Sequence, residues 1–273
     1  MSSRLQVFIG IAVSSLLLSA VITRAQNVAQ GTLHSVASIV AVDPDSSKRV
    51  VLGSAFFVEV PSKAFSGNSF VYLITARHNL FDGEGNPIAK PRISVEDSRT
   101  GMLREDSLPP ADQWFSDPKD DSVDLAALPF VPAHANFTSI PLGRFLNLGA
   151  DTTIPIESQL GAEAYYLSVI SGADLESRPV VASRFGRVSV AHPAASELPG
   201  AGKQSLCFLE GASAPQSSGA PVFLRNAQTA VLWGMVEAGS DASNRFSGLI
   251  GVLPAAIIAE TVQAMAAAQE QKR

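Results

Sequence analysis

Only one cysteine, Cys207, occurs in 273 residues. An internal disulfide is therefore impossible, and a disulfide-stapled scaffold or a cysteine-rich zinc site is excluded. The thiol lies in the apolar stretch Leu206-Cys207-Phe208-Leu209, the setting of a small buried hydrophobe. Histidine is also scarce, four in all, and none pairs at His-x-x-x-His spacing, which speaks against a catalytic zinc. No organic cofactor is implied. Charge is sparse at 16% of residues, with a net value of −5 and no dense Lys/Arg run, so the footprint of nucleic-acid binding is missing. Long apolar runs are absent except at the N-terminus.

That N-terminal run is informative. Basic Arg4 precedes a nearly unbroken apolar stretch from Val7 to Ile22, followed by Thr23-Arg24-Ala25. This is the layout of a secretory signal, residues 1–25, and it places the mature protein in the periplasm or outside the cell. An uncleaved anchor is the alternative. The stretch is short for a span of about 20 residues, which favours cleavage and no stable membrane insertion afterwards.

What remains is 46% apolar overall, enough for a buried core, and is punctuated by 20 glycines and 17 prolines. The apolar runs are short and rich in β-branched and aromatic residues: Val36 to Val42, Val50 to Val60, Phe70 to Thr75, Leu125 to Phe130, Ala164 to Ile170, Pro179 to Val190, Leu206 to Leu209, Pro221 to Leu224, Ala230 to Val236 and Gly248 to Leu253. Turn formers separate them, so the pattern predicts an all-β barrel or sandwich. Residues 83–122 read as long surface loops with at most one edge strand. Helical character is confined to the end, where Pro254 suits a first helical turn and Ala-, Ile- and Met-rich sequence continues to about residue 269. A division near Pro141 to Pro155 separates two halves of similar β character.

Three sites at the ends of apolar runs carry candidate chemistry. A buried strand leads into Thr75-Ala76-Arg77-His78. Asp124 opens the small-residue strand Val123-Asp124-Leu125-Ala126. Ser218 lies in a tight turn, Gln216-Ser217-Ser218-Gly219-Ala220-Pro221, where glycine permits unusual backbone angles and close approach. Singly, a histidine after a strand, an aspartate opening one, and a Ser-Gly turn are each ordinary structural features. Together they are the nucleophile, base and orienting acid of serine-based acyl transfer. Ser217 is the rival nucleophile, but the Ser-Gly-Ala-Pro spacing favours Ser218. Asp120 and Asp121 read as solvated turn carboxylates, and His34, His134 and His192 as structural or exposed. Asn136-Phe137-Thr138 matches a glycosylation sequon, a match too short to carry weight.

The motifs together resemble the trypsin-like (chymotrypsin-fold) serine peptidases, in particular their disulfide-free bacterial branch. Gly53-Ser54-Ala55-Phe56-Phe57-Val58 is similar to an early strand of that family. Gly234-Met235-Val236-Glu237-Ala238-Gly239-Ser240 is similar to the strand lining its substrate pocket. The resemblance covers most of residues 31–270. It implies two antiparallel six-stranded β-barrels, about 31–145 and 155–253, with a C-terminal helix over about 254–269 and the site between the barrels. The implied activity is an exported serine endopeptidase acting on a peptide or protein. His78 is then general base, Asp124 its orienter and Ser218 the nucleophile, with the backbone N–H groups of Gln216 and Ser218 as oxyanion hole. Ala212 would lie at the base of the substrate pocket and Gly239 and Gly248 in its walls, an arrangement suited to a medium or large apolar residue.

Departures from the family pattern matter equally. Gln216 stands where glycine is usual, so the oxyanion-hole peptide is expected either to be strained or to form only with substrate bound. Ser217 stands where trypsin-type zymogens carry an aspartate, so activation by pairing with a new N-terminus is not expected. Glu237 replaces a serine near the orienting aspartate; pointed inward, it would set two carboxylates against each other. These departures motivate the alternatives of a protease-like binding module without turnover and, more weakly, an esterase using the same triad. The chain ends soon after the closing helix, so no appended peptide-binding domain is expected.

Overall fold

The structure is a computed structural model describing residues 32–43, 46–82, 84–120, 122–149, 152–170, 180–198, 202–225, 230–239 and 248–272. The expected secretory signal, residues 1–25, and Asp121 lie outside the described residues. Among those described, no helix is long and apolar enough to cross a membrane.

Thirteen strands form two sheets. The N-terminal set is β1 (Val36–Val42), β2 (Arg49–Pro61), β3 (Ser69–Thr75), β4 (Arg92–Glu96), β5 (Leu103–Ser107), β6 (Ala126–Pro129) and β7 (Ile140–Pro141). Their order is β5-β4-β1-β2-β3-β6, with β7 pairing β2 in parallel. A short helix, α1 (Ile156–Gln159), leads into β8 (Glu163–Ile170), β9 (Val180–Leu198), β10 (Gly202–Glu210), β11 (Pro221–Arg225), β12 (Ala230–Gly239) and β13 (Leu249–Pro254). These six close into a barrel in the order β10-β13-β12-β11-β8-β9. The closing helix, α2, spans Ala255–Gln271.

The all-β expectation holds, with differences in detail. The N-terminal sheet has seven strands rather than six. Residues 83–122 contribute a hairpin, β4–β5, and β4 pairs β1 inside the sheet. Its sequence, Arg-Ile-Ser-Val-Glu, has only two apolar residues, Ile93 and Val95, and buries Ser94 between them, so its alternation is too short to read unaided. Cross-strand charges finish the hairpin: Glu105 accepts from Arg49 at 2.7 Å and from Arg92 at 3.2 Å. Pro254 ends β13 in an extended conformation (φ −61, ψ 142), so the helix begins one residue later than its proline suggests.

Each sheet has its own interior, and a third cluster joins the two. Phe56, Val58, Tyr72 and Ile74 from the N-terminal sheet meet Tyr165, Leu167, Phe223 and Met235 from the barrel, with Ile258, Val262 and Met265 of α2 against them. The helix thus turns back from the barrel onto the N-terminal sheet. Tyr72 donates to Gln269 at 2.9 Å, and Thr261 donates to the buried carboxylate of Asp117 at 3.1 Å. This shared apolar seam holds the two halves in register, and the candidate residues lie along it.

Candidate active site

β3 ends at Thr75, and a single 3₁₀ turn, Arg77–Leu80, carries His78 just beyond it. β6 pairs antiparallel with β3, Thr75 opposite Ala126, so Asp124, two residues before, arrives beside that turn. Register alone brings the two together. One Asp124 oxygen accepts from the His78 backbone N–H at 2.8 Å, and the other pairs closely with His78 Nδ1. The carboxylate is buried with its side chain 8% exposed; the imidazole is 47% exposed, so its Nε2 edge is open. This geometry selects the tautomer with Nδ1 protonated and Nε2 free to take a proton.

Ser218 comes from the other half, immediately before β11. Its loop is shaped by a turn in which the Ser217 N–H bonds back to the Ala214 carbonyl at 3.3 Å. Pro215 is the second residue of that turn and Gln216 the third, at φ 65. A positive φ at the third position marks a type II turn, which normally takes glycine there. The strain expected at Gln216 is present. Next, Gly219 adopts φ 88, and a Cβ on it would fall 1.9 Å from the Ser54 carbonyl oxygen. Only glycine fits. Its N–H bonds the Val236 carbonyl at 2.7 Å, tying the turn to β12.

A clamp from the N-terminal sheet holds the nucleophile loop. The Ser218 carbonyl accepts from the Ser54 N–H at 2.8 Å and from Asn79 Nδ2 at 2.9 Å. Ser54 Oγ donates to the Gln216 carbonyl at 3.0 Å, while Thr75 Oγ1 donates to the Ser54 carbonyl and accepts from Asn79. Gly53 is required because the Asn79 side chain occupies the space a Cβ would need. Sequence reading assigned no role to Ser54, Thr75 or Asn79. Their signals were the Gly53-Ser54 pair and the place of Thr75 and Asn79 beside His78.

Ser217 is buried and its hydroxyl turns back to the Ala214 carbonyl at 2.8 Å, so it is not presented to the site. Ser218 is half-buried, and its Oγ donates to the Glu237 carbonyl at 3.1 Å rather than to His78. The Ser218 N–H has no acceptor among the described residues. Asp120 is an exposed turn carboxylate, held down in pKa by the Ser122 hydroxyl and N–H. His134 sits in a positive-φ turn, His192 is exposed, and His34 lies 3.8 Å from Glu96, all outside this constellation. Cys207 is buried, its thiol pushed up to about 12 by desolvation. No group of metal-ligating side chains occurs among the described residues.

Glu237 sits at the register shift between Val236 and Ala238 where β12 meets β13. A bulge there re-aims a side chain, and this one turns into the protein. It is 2% exposed, and among the described residues the Gln204 amide is the one side chain that acts on it as a hydrogen-bond donor, outside the geometry of a well-formed bond. Burial, reinforced by the nearby Asp124 charge, pushes its carboxyl up to about 9, and the Gln204 amide only partly opposes this. Glu237 is therefore neutral at pH 7. Gln204 also accepts from the Asp124 N–H, at 3.4 Å.

Ala212 is exposed, and its carbonyl accepts from the buried Tyr166 hydroxyl at 2.9 Å. The Gly248 carbonyl accepts from the Gly211 N–H at 3.0 Å, and the Cβ direction of Gly248 meets open space. Gly239 ends β12 opposite Ile250.

No protein-family model matches the sequence, and no curated protein matches it. Solved structures are similar to it. The apo MamO protease domain from Magnetospirillum magneticum has a TM-score of 0.53 at 17% identity, over 84% of this chain and 95% of that one. The HtrA-type protease AlgW with a tripeptide gives 0.55 at 17% identity, over 88% of this chain and 63% of that one. AlgW with a decapeptide gives 0.53 at 16%, over 88% and 67%. This chain thus spans about two thirds of the AlgW chains. With the two sheets and the closing helix, these likenesses define the fold: it is that of the trypsin-like serine peptidases.

Proposed function

We propose that the protein is an exported serine endopeptidase. The observation that carries this reading is the buried Asp124 held on His78 Nδ1, with the opposite ring edge exposed on the seam where the Ser218 turn is clamped. In this mechanism Ser218 Oγ turns from the Glu237 carbonyl toward His78, gives its proton to Nε2 and attacks the peptide carbonyl carbon. The developing oxyanion is met by the Gln216 and Ser218 N–H groups. His78 then passes the proton to the leaving amine, the C–N bond breaks and an acyl-ester remains on Ser218. Water, deprotonated by the same imidazole, releases the acid. Export is supported by the n- and h-region pattern of residues 1–25. Two of the similar AlgW structures carry bound peptides, which supports a peptide substrate.

A second reading has one specific observation in its favour. The Ser218 hydroxyl is bonded to a carbonyl, not to the imidazole, as expected of a peptide-binding module without turnover. A fluorophosphonate probe separates the two, because it needs an activated serine and a formed oxyanion site but no known substrate. The expected result is stoichiometric labelling at Ser218, abolished in Ser218→Ala, which lacks the hydroxyl, and slowed by about 10³-fold or more in His78→Ala, on the order seen when a triad member is removed. Folded wild-type protein that does not label would leave the binding module as the better account.

A further inference from the structure

Among the described residues Arg184 has no ion-pair partner, and its cross-strand neighbour Tyr166 reaches the loop that precedes the nucleophile. In the β8–β9 register it stands directly opposite Tyr166, so both side chains leave the same face of the sheet, toward the barrel interior. Tyr166 is 1% exposed and its hydroxyl reaches under the loop that carries the nucleophile: it donates to the Ala212 carbonyl and lies against the Ser217 side chain and the Ala214 backbone. The Arg184 charge acts on that phenol. Its Nε is buried with no hydrogen-bond partner, and among the described residues no carboxylate forms an ion pair with it.

A buried guanidinium Nε left without an acceptor costs stability, and a planar fork of donors is matched by a carboxylate, which it binds bidentately. Tyr166 links Arg184, its cross-strand neighbour, to the exposed Ala212, six residues before Ser218, whose carbonyl its hydroxyl bonds at 2.9 Å. We propose that Arg184 is a specificity-determining residue that receives the carboxylate of a glutamate or aspartate on the acyl side of the scissile bond. The inference rests on the peptidase reading and replaces the apolar preference expected from Ala212 alone. The difference arises because the charge comes from β9, 34 positions from the nucleophile, and not from the residues flanking it.

The test uses activated peptidyl phosphonates that differ only in the acyl-side residue, Glu against its neutral isostere Gln, with labelling at Ser218 followed by intact mass. In each protein the two rates are taken as a ratio. The wild type is expected to favour the Glu probe by about tenfold to a hundredfold, the range of a charge-assisted hydrogen bond. Arg184→Met, close in volume and removing an unpaired charge, should bring the ratio to one or below, and Arg184→Lys should retain part of it. A wild-type ratio near one, or one unchanged in Arg184→Met, overturns the inference. If no phosphonate labels at all, the peptidase reading fails. Calorimetric binding of the same Glu and Gln peptides to wild type and Arg184→Met then decides the role of Arg184 separately, equal affinities counting against it.

Discussion

Among the described residues three aspartates are buried in the N-terminal half and one glutamate in the C-terminal barrel, and they are treated in opposite ways. Asp97 accepts from the N–H groups of Arg99 and Thr100, and Asp117 from those of Lys119 and Asp120. Asp124 accepts from the N–H and ring of His78. Glu237 is buried more deeply than any of them, and among the described residues no donor makes a well-formed hydrogen bond to it, the Gln204 amide acting only weakly. The barrel also buries the bare Nε of Arg184 and carries the positive φ at Gln216. The N-terminal half thus presents finished charges on a rigid frame. The barrel keeps strain and unpaired polarity around the serine, where a substrate can use them.

The largest test of this contrast is Gly219→Ala. Its Cβ would enter the Ser54 carbonyl at a position already held at φ 88, so the clamp between the halves must open. A loss of on the order of 4 kcal/mol is expected in urea unfolding, together with loss of fluorophosphonate labelling. A variant that unfolds at the wild-type midpoint would mean the clamp does not restrain the turn.

Glu237→Gln comes next, because it removes the unpaired carboxyl while keeping its shape. A carboxyl raised from 4.5 to about 9 is protonated in the folded state and ionised in the unfolded one across that window. The folded state therefore binds more protons, and wild-type stability falls as pH rises through the window. The variant should exceed wild type by a few kcal/mol at pH 8, with the difference shrinking toward zero near pH 4.5. Thermal melts at the two values check the sign; an equal difference at both would rule out titration of Glu237 as the cause.

Smallest is Gln216→Gly, which relieves the left-handed backbone at some loss of unfolded-state entropy. A net gain of about 0.5–1 kcal/mol is expected. Destabilisation would show that the Gln216 side chain contributes more than its backbone costs.

Much of this was legible in the residues. Short β-branched runs marked β1, β2 and β3 within a residue or two, because burying one face of a pleated strand imposes its own composition. His78, Asp124 and Ser218 stood out because each ends such a run, and Glu237 because it breaks a familiar pattern. The β4–β5 hairpin escaped because Leu103–Ser107 carries its inter-strand contacts through charges, which a hydrophobic pattern does not register. Ser54, Asn79, Gln204 and Arg184 escaped for a different reason. Each acts on a partner reached only through strand register, as when Ser54 meets Gln216 162 positions away.

The sequence by itself determined the all-β class, the exclusion of disulfide and cysteine-rich metal chemistry, and the three residue types that could transfer an acyl group. Those follow from composition and local spacing. Tertiary structure alone decided that the Glu237 carboxyl is neutral, where the Ser218 hydroxyl points and that the Arg184 Nε is buried without an acceptor. Desolvation and Coulomb interaction depend on every neighbour within a few ångströms, and here those neighbours come from both halves of the chain.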